Sequence, residues 1–126
     1  MSRLGELERA VMGVLWDHGE PMVVRDVVRV LSERDLAYTT VMTVLNRLAN
    51  KDFVLRELDG RAWRYAPRAS REEYVTRLMM EALSFTGDRE AALAHFAHSV
   101  SVPEAEALSQ ALADAGDKPH RGDDGR

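Results

Sequence analysis

Residues 38–51 read YTTVMTVLNRLANK, and this stretch decides which fold the remaining segments complete. Four large aliphatic side chains, Val41, Val44, Leu45 and Leu48, recur in it at the spacing of one helical face. Such a recurrence is typical of an amphipathic helix whose apolar side packs on a core. The stretch therefore predicts a helix over about 38–51 with one buried side.

The opposite side of this predicted helix is polar and contains no carboxylate. Its side chains are Thr39, Thr40, Thr43, Asn46, Arg47 and Asn50. Threonine and asparagine are weak helix formers, so a merely solvated face would more often carry Glu and Lys. Side chains that donate and accept hydrogen bonds, next to an arginine, suit the base edges and phosphates of a major groove. On this stretch alone, an ordinary exposed helix with a threonine bias explains the pattern equally well.

Two helices and a short strand are predicted before this stretch. A first helix covers about 4–18 and ends at Gly19, and a very short strand at 22–23 leads into a second helix over about 24–34. The connection at 35–37 is short, so the second and third helices form a helix-turn-helix arrangement. This context favours nucleic-acid binding by the third helix.

A β-hairpin is predicted directly after the third helix. The β-prone runs 53–58 and 61–67 flank the dipeptide Asp59-Gly60. Asp-Gly is typical of tight hairpin turns in which both central residues take positive φ. A hairpin that follows a recognition helix is a wing, and it completes a winged helix.

Three arginines accompany this hairpin. Arg61 lies beside its tip, and Arg56 and Arg64 lie on its flanks. Alternation along the strand places Trp63 and Tyr65 on one face and Arg64 on the other. Arginines on a wing can reach backbone phosphate or the minor groove, and solvated strand positions are the plainer alternative.

The net charge of −4 is unevenly distributed along the chain. Residues 68–126 hold eleven acidic and seven basic side chains, whereas residues 39–71 hold seven basic side chains and three acidic ones. A local basic patch is what phosphate contact requires, whatever the charge of the whole chain. The predicted DNA-binding residues are Thr39, Thr40, Thr43, Asn46, Arg47, Arg61 and Arg64.

Three further helices are predicted in the C-terminal part. They cover about 70–85, 89–99 and 101–115, and capping boxes of the form S-x-x-E open the first and the third. Their apolar stripes contain too few large residues to enclose a core, so we expect a second copy of the chain to cover them. The predicted dimerisation residues are Leu78, Leu83, Leu93, Phe96, Leu108 and Leu112.

These elements predict a mainly α fold with a small β-hairpin. We expect a winged helix-turn-helix DNA-binding domain in residues 1–67 and a helical dimerisation domain in residues 68–115. The polar stretch 116–126 has no apolar anchor and is predicted to be a disordered tail.

Composition excludes several classes of protein. The absence of cysteine excludes disulfides, thiolate metal sites and cysteine nucleophiles. No apolar run approaches the roughly 20 residues needed to cross a bilayer, so we expect no membrane insertion and a cytoplasmic location. His95 and His98 lie at i, i+3 without a third ligand nearby, and no phosphate loop or nucleophile motif is present. We expect no catalytic residue, no cofactor, no metal site and no enzymatic activity.

With these elements in place, the chain resembles the BlaI/MecI family, the repressors of penicillinase and methicillin-resistance genes. The resemblance is carried by E-x-x-V-M-x-V-L-W at 8–16, T-V-x-T-x-L-x-R-L at 40–48, DGRAWRYAP at 59–67 and SREEYV at 70–75. It implies a homodimeric winged-helix repressor that holds a palindromic operator in double-stranded DNA. It also implies release after a membrane-bound zinc protease, triggered by a β-lactam, leads to cleavage in the C-terminal region.

The resemblance also assigns roles position by position on the predicted DNA-binding surface. Thr40, Thr43 and Arg47 match residues on the DNA-contacting face of the family. Arg61 matches the basic residue at the wing tip. Thr39 stands where relatives often have lysine, which removes one expected phosphate contact.

Two other positions depart from the family pattern. Asp52 stands where the family usually has glycine in the turn before the wing. The cleaved segment corresponds to residues 94–97, in which His95 replaces the asparagine that usually precedes the phenylalanine, here Phe96. The copper-responsive relatives carry a C-terminal cysteine cluster, so copper sensing is not expected here.

A winged helix used only for protein interaction, without sequence-specific DNA binding, is the alternative interpretation. Such a surface would tolerate carboxylates on the polar face of the third helix. Their absence between residues 39 and 50 favours DNA.

Overall fold

The computed structural model describes residues 4–116 and confirms a mainly helical fold with a small sheet. The helices are α1 (Glu6–His18), α2 (Val24–Val30), α3 (Tyr38–Asn50), α4 (Arg71–Leu83), α5 (Arg89–Ser99) and α6 (Val102–Gly116). The strands are β1 (Met22–Val23), β2 (Val54–Asp59) and β3 (Ala62–Pro67). Of the predicted disordered tail, Gly116 ends α6 and residues 117–126 lie outside the described residues.

One hydrophobic core joins α1, α2, α3 and the sheet. Its fully buried side chains are Val11, Met12, Leu15, Met22, Val27, Val41, Leu45, Leu48 and Tyr65. All four aliphatic residues predicted for α3 lie in this core, each with at most 3% of its surface exposed. Burying one such side chain stabilises the fold by about 1.5–3 kcal/mol. The stripe therefore fixes how α3 is rotated about its own axis.

The second helix is shorter than predicted. It ends at Val30, and a single turn of 3-10 helix over Ser32–Arg34 follows where the sequence predicted continuous α-helix. Asp35 then takes the left-handed conformation with φ of 52°, and its N–H donates to the Ser32 carbonyl at 3.1 Å. This tight closure leaves only residues 36–37 before α3 begins, as a helix-turn-helix requires.

The sheet has three strands in the order β1-β3-β2, all antiparallel. The predicted short strand β1 is present and pairs with β3, where Met22 lies opposite Tyr65. Because β1 precedes α2 and β3 belongs to the hairpin, this pairing fixes the hairpin to the helix-turn-helix. Tyr65 is only 1% exposed as a result.

The hairpin tip differs by one residue from the prediction. Asp59 pairs with Ala62, so the two central residues of the turn are Gly60 and Arg61 rather than Asp59 and Gly60. Of these two, only Gly60 has positive φ, at 66°. A glycine at the first central position is typical of type II′ turns, whose twist also suits a two-residue hairpin. Asp59 is therefore the last residue of β2.

The first compact unit extends to Ala82, whereas the predicted domain boundary falls after residue 67. Tyr74 of α4 explains the difference, because it lies in the core with 7% of its surface exposed. Its hydroxyl accepts a hydrogen bond from the Leu4 N–H at 3.2 Å, and its ring lies 5.6 Å from that of Phe53. The winged-helix core is therefore completed by the first part of α4.

The second unit begins at Leu83 and contains α5 and α6. Local caps start both helices. The Asp88 carboxylate accepts from the Ala91 N–H at 3.0 Å, and Ser101 and Glu104 form the predicted capping box. None of the described side chains in α5 or α6 is buried, including the apolar ones.

Asp52 provides a test of backbone strain at the end of α3. Its φ is 66°, and the bonds Phe53 N–H to Leu48 carbonyl (2.9 Å) and Asp52 N–H to Ala49 carbonyl (3.1 Å) form a Schellman motif. Glycine adopts this conformation without the cost that a Cβ imposes, although it loses more entropy on folding. We expect Asp52→Gly to stabilise the protein by roughly 0.5–1 kcal/mol and to raise the melting temperature by a few degrees.

Asp52→Ala is the matched control, since it removes the same carboxylate but keeps the Cβ. Thermal unfolding of both variants should show stabilisation by glycine alone. An equal gain in stability in the alanine variant would show that the carboxylate of Asp52, and not its backbone conformation, destabilises the protein.

Candidate nucleic-acid interface

The polar side of α3 is turned to solvent over its whole length. Its exposed polar residues are Thr39, Thr40, Thr43, Arg47 and Asn50, and Asn46 is half-buried. No acidic residue lies in the helix. The surface that the sequence predicted for DNA contact is therefore accessible and carries no negative side chain of its own.

A groove of about 640 Å³ lies between α3 and the hairpin. Its most prominent polar and aromatic lining residues are Arg25 from α2, Tyr38 and Asn46 from α3, and Arg56, Arg61 and Trp63 from the hairpin. Three of these carry positive charge, and the lining also contains the carboxylate of Asp59, which is paired with Arg64. A positively charged groove between two elements that can each approach a duplex suits a sugar–phosphate strand.

Asn46 links α3 to both strands of the hairpin. Its side-chain oxygen accepts one hydrogen bond from Nη1 of Arg56 at 3.1 Å and another from the hydroxyl of Tyr65 at 3.0 Å. Because Tyr65 is buried in the sheet, these bonds fix the hairpin relative to α3. Asn46 thus has a structural function that its position on the polar face did not reveal.

The two flanking arginines lie on opposite faces of the hairpin. Arg56 pairs across the strands with Tyr65, and its guanidinium carbon lies 4.8 Å from the centre of the Trp63 ring. Arg64 lies on the other face, where its Nε donates to the Asp59 carboxylate at 2.7 Å. Of the two, the predicted DNA-binding set contains Arg64, whereas the structure aligns Arg56 with α3.

The strand register would have identified Arg56. Alternation on β3 already places Trp63 and Tyr65 on one face, and the residues opposite them on β2 are Leu58 and Arg56. The predicted turn at 59–60 would pair Arg56 with Trp63 and so leave it on the same face, because moving a turn by one residue shifts the pairing by two. What the sequence left open is which face of the hairpin lies toward α3. Arg25 and Tyr38 carry no comparable sequence signal, since their place in the groove depends on how α2 and α3 pack.

Internal ion pairs reduce the free positive charge of residues 39–71. The pairs are Lys51 with Glu8, Arg64 with Asp59, and Arg71 with Asp17. Among the described residues, Arg47, Arg56, Arg61 and Arg68 have no carboxylate within ion-pair distance. Three of these four arginines lie on α3 and the hairpin, and Arg68 directly follows the hairpin.

The Lys51–Glu8 pair joins the end of α3 to the start of α1. Both carboxylate oxygens of Glu8 accept from the Lys51 ammonium, at 2.9 and 3.0 Å, and one also accepts from the Gly5 N–H at 2.8 Å. Glu8 is 6% exposed. Burial acts to raise the pKa of Glu8, but the Gly5 hydrogen bond, the Lys51 ammonium and the charge of Arg47 together hold it below its usual range.

The family model described as penicillinase repressor matches residues 4–114. The chain belongs to the penicillinase repressor family. Transcriptional regulator BlaI from two strains of Mycobacterium tuberculosis is 55% identical over 118 residues, which cover 90% of this chain and 86% of the relative. The chain is therefore a BlaI-like transcriptional regulator. Since its relatives are regulators, the expectation that it is not an enzyme agrees with the family.

Two solved structures are similar in fold. One is an hsRosR complex, with a TM-score of 0.50 and 23% identity over 83% of this chain and 92% of the other. The other is a mutant of Staphylococcus aureus MepR bound to an oligodeoxyribonucleotide, with a TM-score of 0.51 and 18% identity over 88% of this chain and 76% of the other. At these identities the likeness confirms the winged-helix fold of this penicillinase repressor family member and nothing further.

The C-terminal residues predicted for dimerisation and cleavage lie in two settings. Leu78 packs against the core of its own unit, and Leu83 is half-buried. Leu93, Phe96, Leu108 and Leu112 are exposed by 41–63%.

In α5 the His98 ring nitrogen lies 2.8 Å from the Ala94 carbonyl, and the Ser99 hydroxyl donates to the His95 carbonyl at 2.8 Å. Residues 4–116 contain no group of three or more His, Asp or Glu placed to hold a metal.

Among the described helices, none is both long enough and apolar enough to cross a bilayer.

Glu8 and Lys51 give an asymmetric prediction for stability. Lys51→Met leaves a buried carboxylate held by one N–H and should cost roughly 2–4 kcal/mol, because an uncompensated buried charge is expensive. Glu8→Gln keeps that N–H bond and leaves a lysine that can reach water, so it should cost less, about 1–2 kcal/mol at neutral pH. Chemical denaturation of both variants measures the order.

The pH dependence of the same pair has a defined sign. A depressed folded-state pKa means that the stabilisation by Glu8 is present above about pH 4.3 and is lost as the pH falls through the folded pKa. The stability gap between wild type and Glu8→Gln should therefore shrink from about pH 6 to about pH 3. Glu6→Gln, which alters the exposed pair with Arg34, is the control and should change the melting temperature little. A gap independent of pH would contradict the assignment.

Proposed function

We propose that this chain is a homodimeric transcriptional repressor that binds palindromic operator DNA with α3 in the major groove and the hairpin on the flanking backbone. The observation that carries the proposal is the carboxylate-free polar face of α3 beside a groove with three arginines. A face built only to be solvated, or to bind a protein, has no physical reason to exclude Asp and Glu. Phosphates repel carboxylates, so a DNA-binding face has a physical reason to exclude Asp and Glu.

Two roles divide the proposed DNA contacts. Thr40 and Thr43 are exposed and carry both a hydroxyl and a methyl group, which suit base edges and the thymine methyl group. Arg47 on α3 and Arg61 at the hairpin tip are exposed and suit phosphates. Base contacts supply specificity, and phosphate contacts supply affinity and orientation.

The proposed dimer rests on the apolar surface of the second unit. Phe96 is 41% exposed, Leu93 49% and Leu112 63%, although each lies on a helix of good length and capping. Several large apolar side chains exposed together in one unit are typical of an interaction surface, and a second copy provides matching ones through two-fold symmetry. A two-fold dimer in turn reads a palindromic site, with one winged helix on each half.

The proposed regulation follows from the family resemblance. We propose relief of repression by proteolysis at or near His95–Phe96, by a membrane-bound sensor protease that responds to β-lactams, with the regulator acting in the cytoplasm. Phe96 lies near the middle of α5, with α6 following it. Cleavage there would separate α6 from the DNA-binding unit and remove much of the proposed dimer surface.

DNA binding is tested by titration of an operator-like duplex, selected from random-sequence DNA, against a scrambled duplex. Arg47→Ala and Arg61→Ala should weaken binding to both duplexes. They should also reduce the salt slope, the slope of the logarithm of affinity against the logarithm of salt concentration, by about 0.9 for each lost phosphate contact. Thr43→Ala should instead reduce the difference in binding free energy between the two duplexes by about 1–3 kcal/mol.

Thr76→Ala on α4 removes an exposed threonine outside the proposed interface and serves as the control. Equal affinity of the wild type for both duplexes would refute sequence-specific binding. Absence of binding to either duplex at low salt would favour the alternative of a protein-interaction module.

The link between assembly and repression is tested by a chain that ends at His95. A dimer binds its second half-site at high effective concentration, so loss of the dimer should reduce operator affinity by at least about a hundredfold. The thermal transition of residues 4–82 should remain, because its core is complete without α5 and α6. A chain that ends at Gly116 is the control and should keep full affinity. Near-wild-type affinity of the shorter chain would exclude this mode of regulation.

A further inference from the structure

We propose that Asn46 is a positioning residue, which holds the guanidinium of Arg56 so that it binds a DNA phosphate in the groove between α3 and the hairpin. This inference rests on the proposed function and changes which residues are assigned to bases and to phosphates within it. Asn46 lies on the face predicted to read bases, but its contacts within the protein give it a different task. Arg56, which the sequence places on the flank of the hairpin but outside the final predicted DNA-binding set, becomes a contact residue.

The orientation of the Asn46 amide follows from its partners. Arginine has only donors, so the atom 3.1 Å from Nη1 of Arg56 must be the amide oxygen. The same oxygen accepts from the Tyr65 hydroxyl at 3.0 Å, and these two bonds use both of its lone pairs. Asparagine reads adenine by accepting and donating at once. Since the oxygen is already occupied, Asn46 cannot form that bidentate pair without breaking its link to the hairpin.

Arg56 is held from two sides and is still able to bind an anion. Asn46 engages one N–H of its guanidinium, and the guanidinium carbon lies over the Trp63 ring, 4.8 Å from its centre. The other N–H groups of the fork remain for a phosphate. None of the carboxylates in residues 4–116 lies within ion-pair distance of Arg56, whereas Arg64 on the opposite face is paired with Asp59.

The hydrogen bond between Asn46 and Arg56 is anchored in the sheet through Tyr65. Tyr65, which shares the Asn46 oxygen, is 1% exposed and paired in the sheet with both Met22 and Arg56. A side chain already held in its binding conformation loses less entropy when it contacts the ligand. The groove it faces also contains Arg25 and Arg61, and the Asp59 carboxylate in its lining is already paired with Arg64. A phosphodiester strand is therefore the occupant that matches its charge.

A double-mutant cycle tests this positioning role. Arg56→Ala should reduce affinity for the operator-like and the scrambled duplex alike, by about tenfold, and lower the salt slope by about 0.9. Asn46→Ala should reduce affinity for both duplexes in the same direction by a smaller factor, with an unchanged ratio between them. In the Arg56→Ala background, Asn46→Ala should have little further effect, because its target is already absent.

Two further variants make the result decisive. Asn46→Asp keeps an oxygen acceptor for Arg56 and Tyr65, so the fold should persist, but its carboxylate would neutralise Arg56 and should weaken binding to both duplexes. Arg9→Ala removes one positive charge from α1, in a separate groove that shares no lining residue with this one, and should leave the salt slope unchanged.

The outcomes separate this inference from the proposed function. Loss of the operator-to-scrambled ratio in Asn46→Ala, or a full effect of that change in the Arg56→Ala background, would show that Asn46 reads a base and would overturn the positioning role. Wild-type affinity and salt slope in Arg56→Ala, with loss in Arg47→Ala, would remove Arg56 from the interface while DNA binding stands. A wild type that binds neither duplex would overturn both.

Discussion

The packing of the apolar stripe of α3 is the constraint on which the rest of the structure depends. Val41, Val44, Leu45 and Leu48 are all buried among α1, α2 and the sheet. In a helix with about 3.6 residues per turn, burial of one side determines what the other side presents. The exposed row of threonines with Arg47 is therefore a consequence of core packing, and any change that rotates α3 would move the whole proposed interface.

Electrostatics refine this picture in a way that net charge does not convey. The described acidic residues include Glu8, which is buried and binds Lys51, and Asp59, which binds Arg64. These pairs remove two cations from the surface available to a duplex, yet leave Arg56 and Arg47 without a carboxylate partner among residues 4–116. A chain of net charge −4 can thus present a positive groove.

Local signals predicted most of the fold, and long-range contacts account for what was missed. The stripe of α3 and the capping boxes at Ser70 and Ser101 lie within a few residues of the elements they define, and the structure confirms them. The hairpin register depends on where the turn is centred, and the role of Asn46 depends on which hairpin residues lie next to it. Tyr74 completes a core that begins 70 residues earlier in the chain, which no local pattern indicates.

The proposed DNA surface consists of the polar face of α3 and the face of the hairpin that carries Arg56. Backbone amide shifts in a 15N-labelled NMR titration with an operator-like duplex test it directly. We expect the largest perturbations within residues 38–50 and 56–65, on both sides of the groove. Perturbations confined to α1 and α4, with α3 unaffected by a bound duplex, would contradict it.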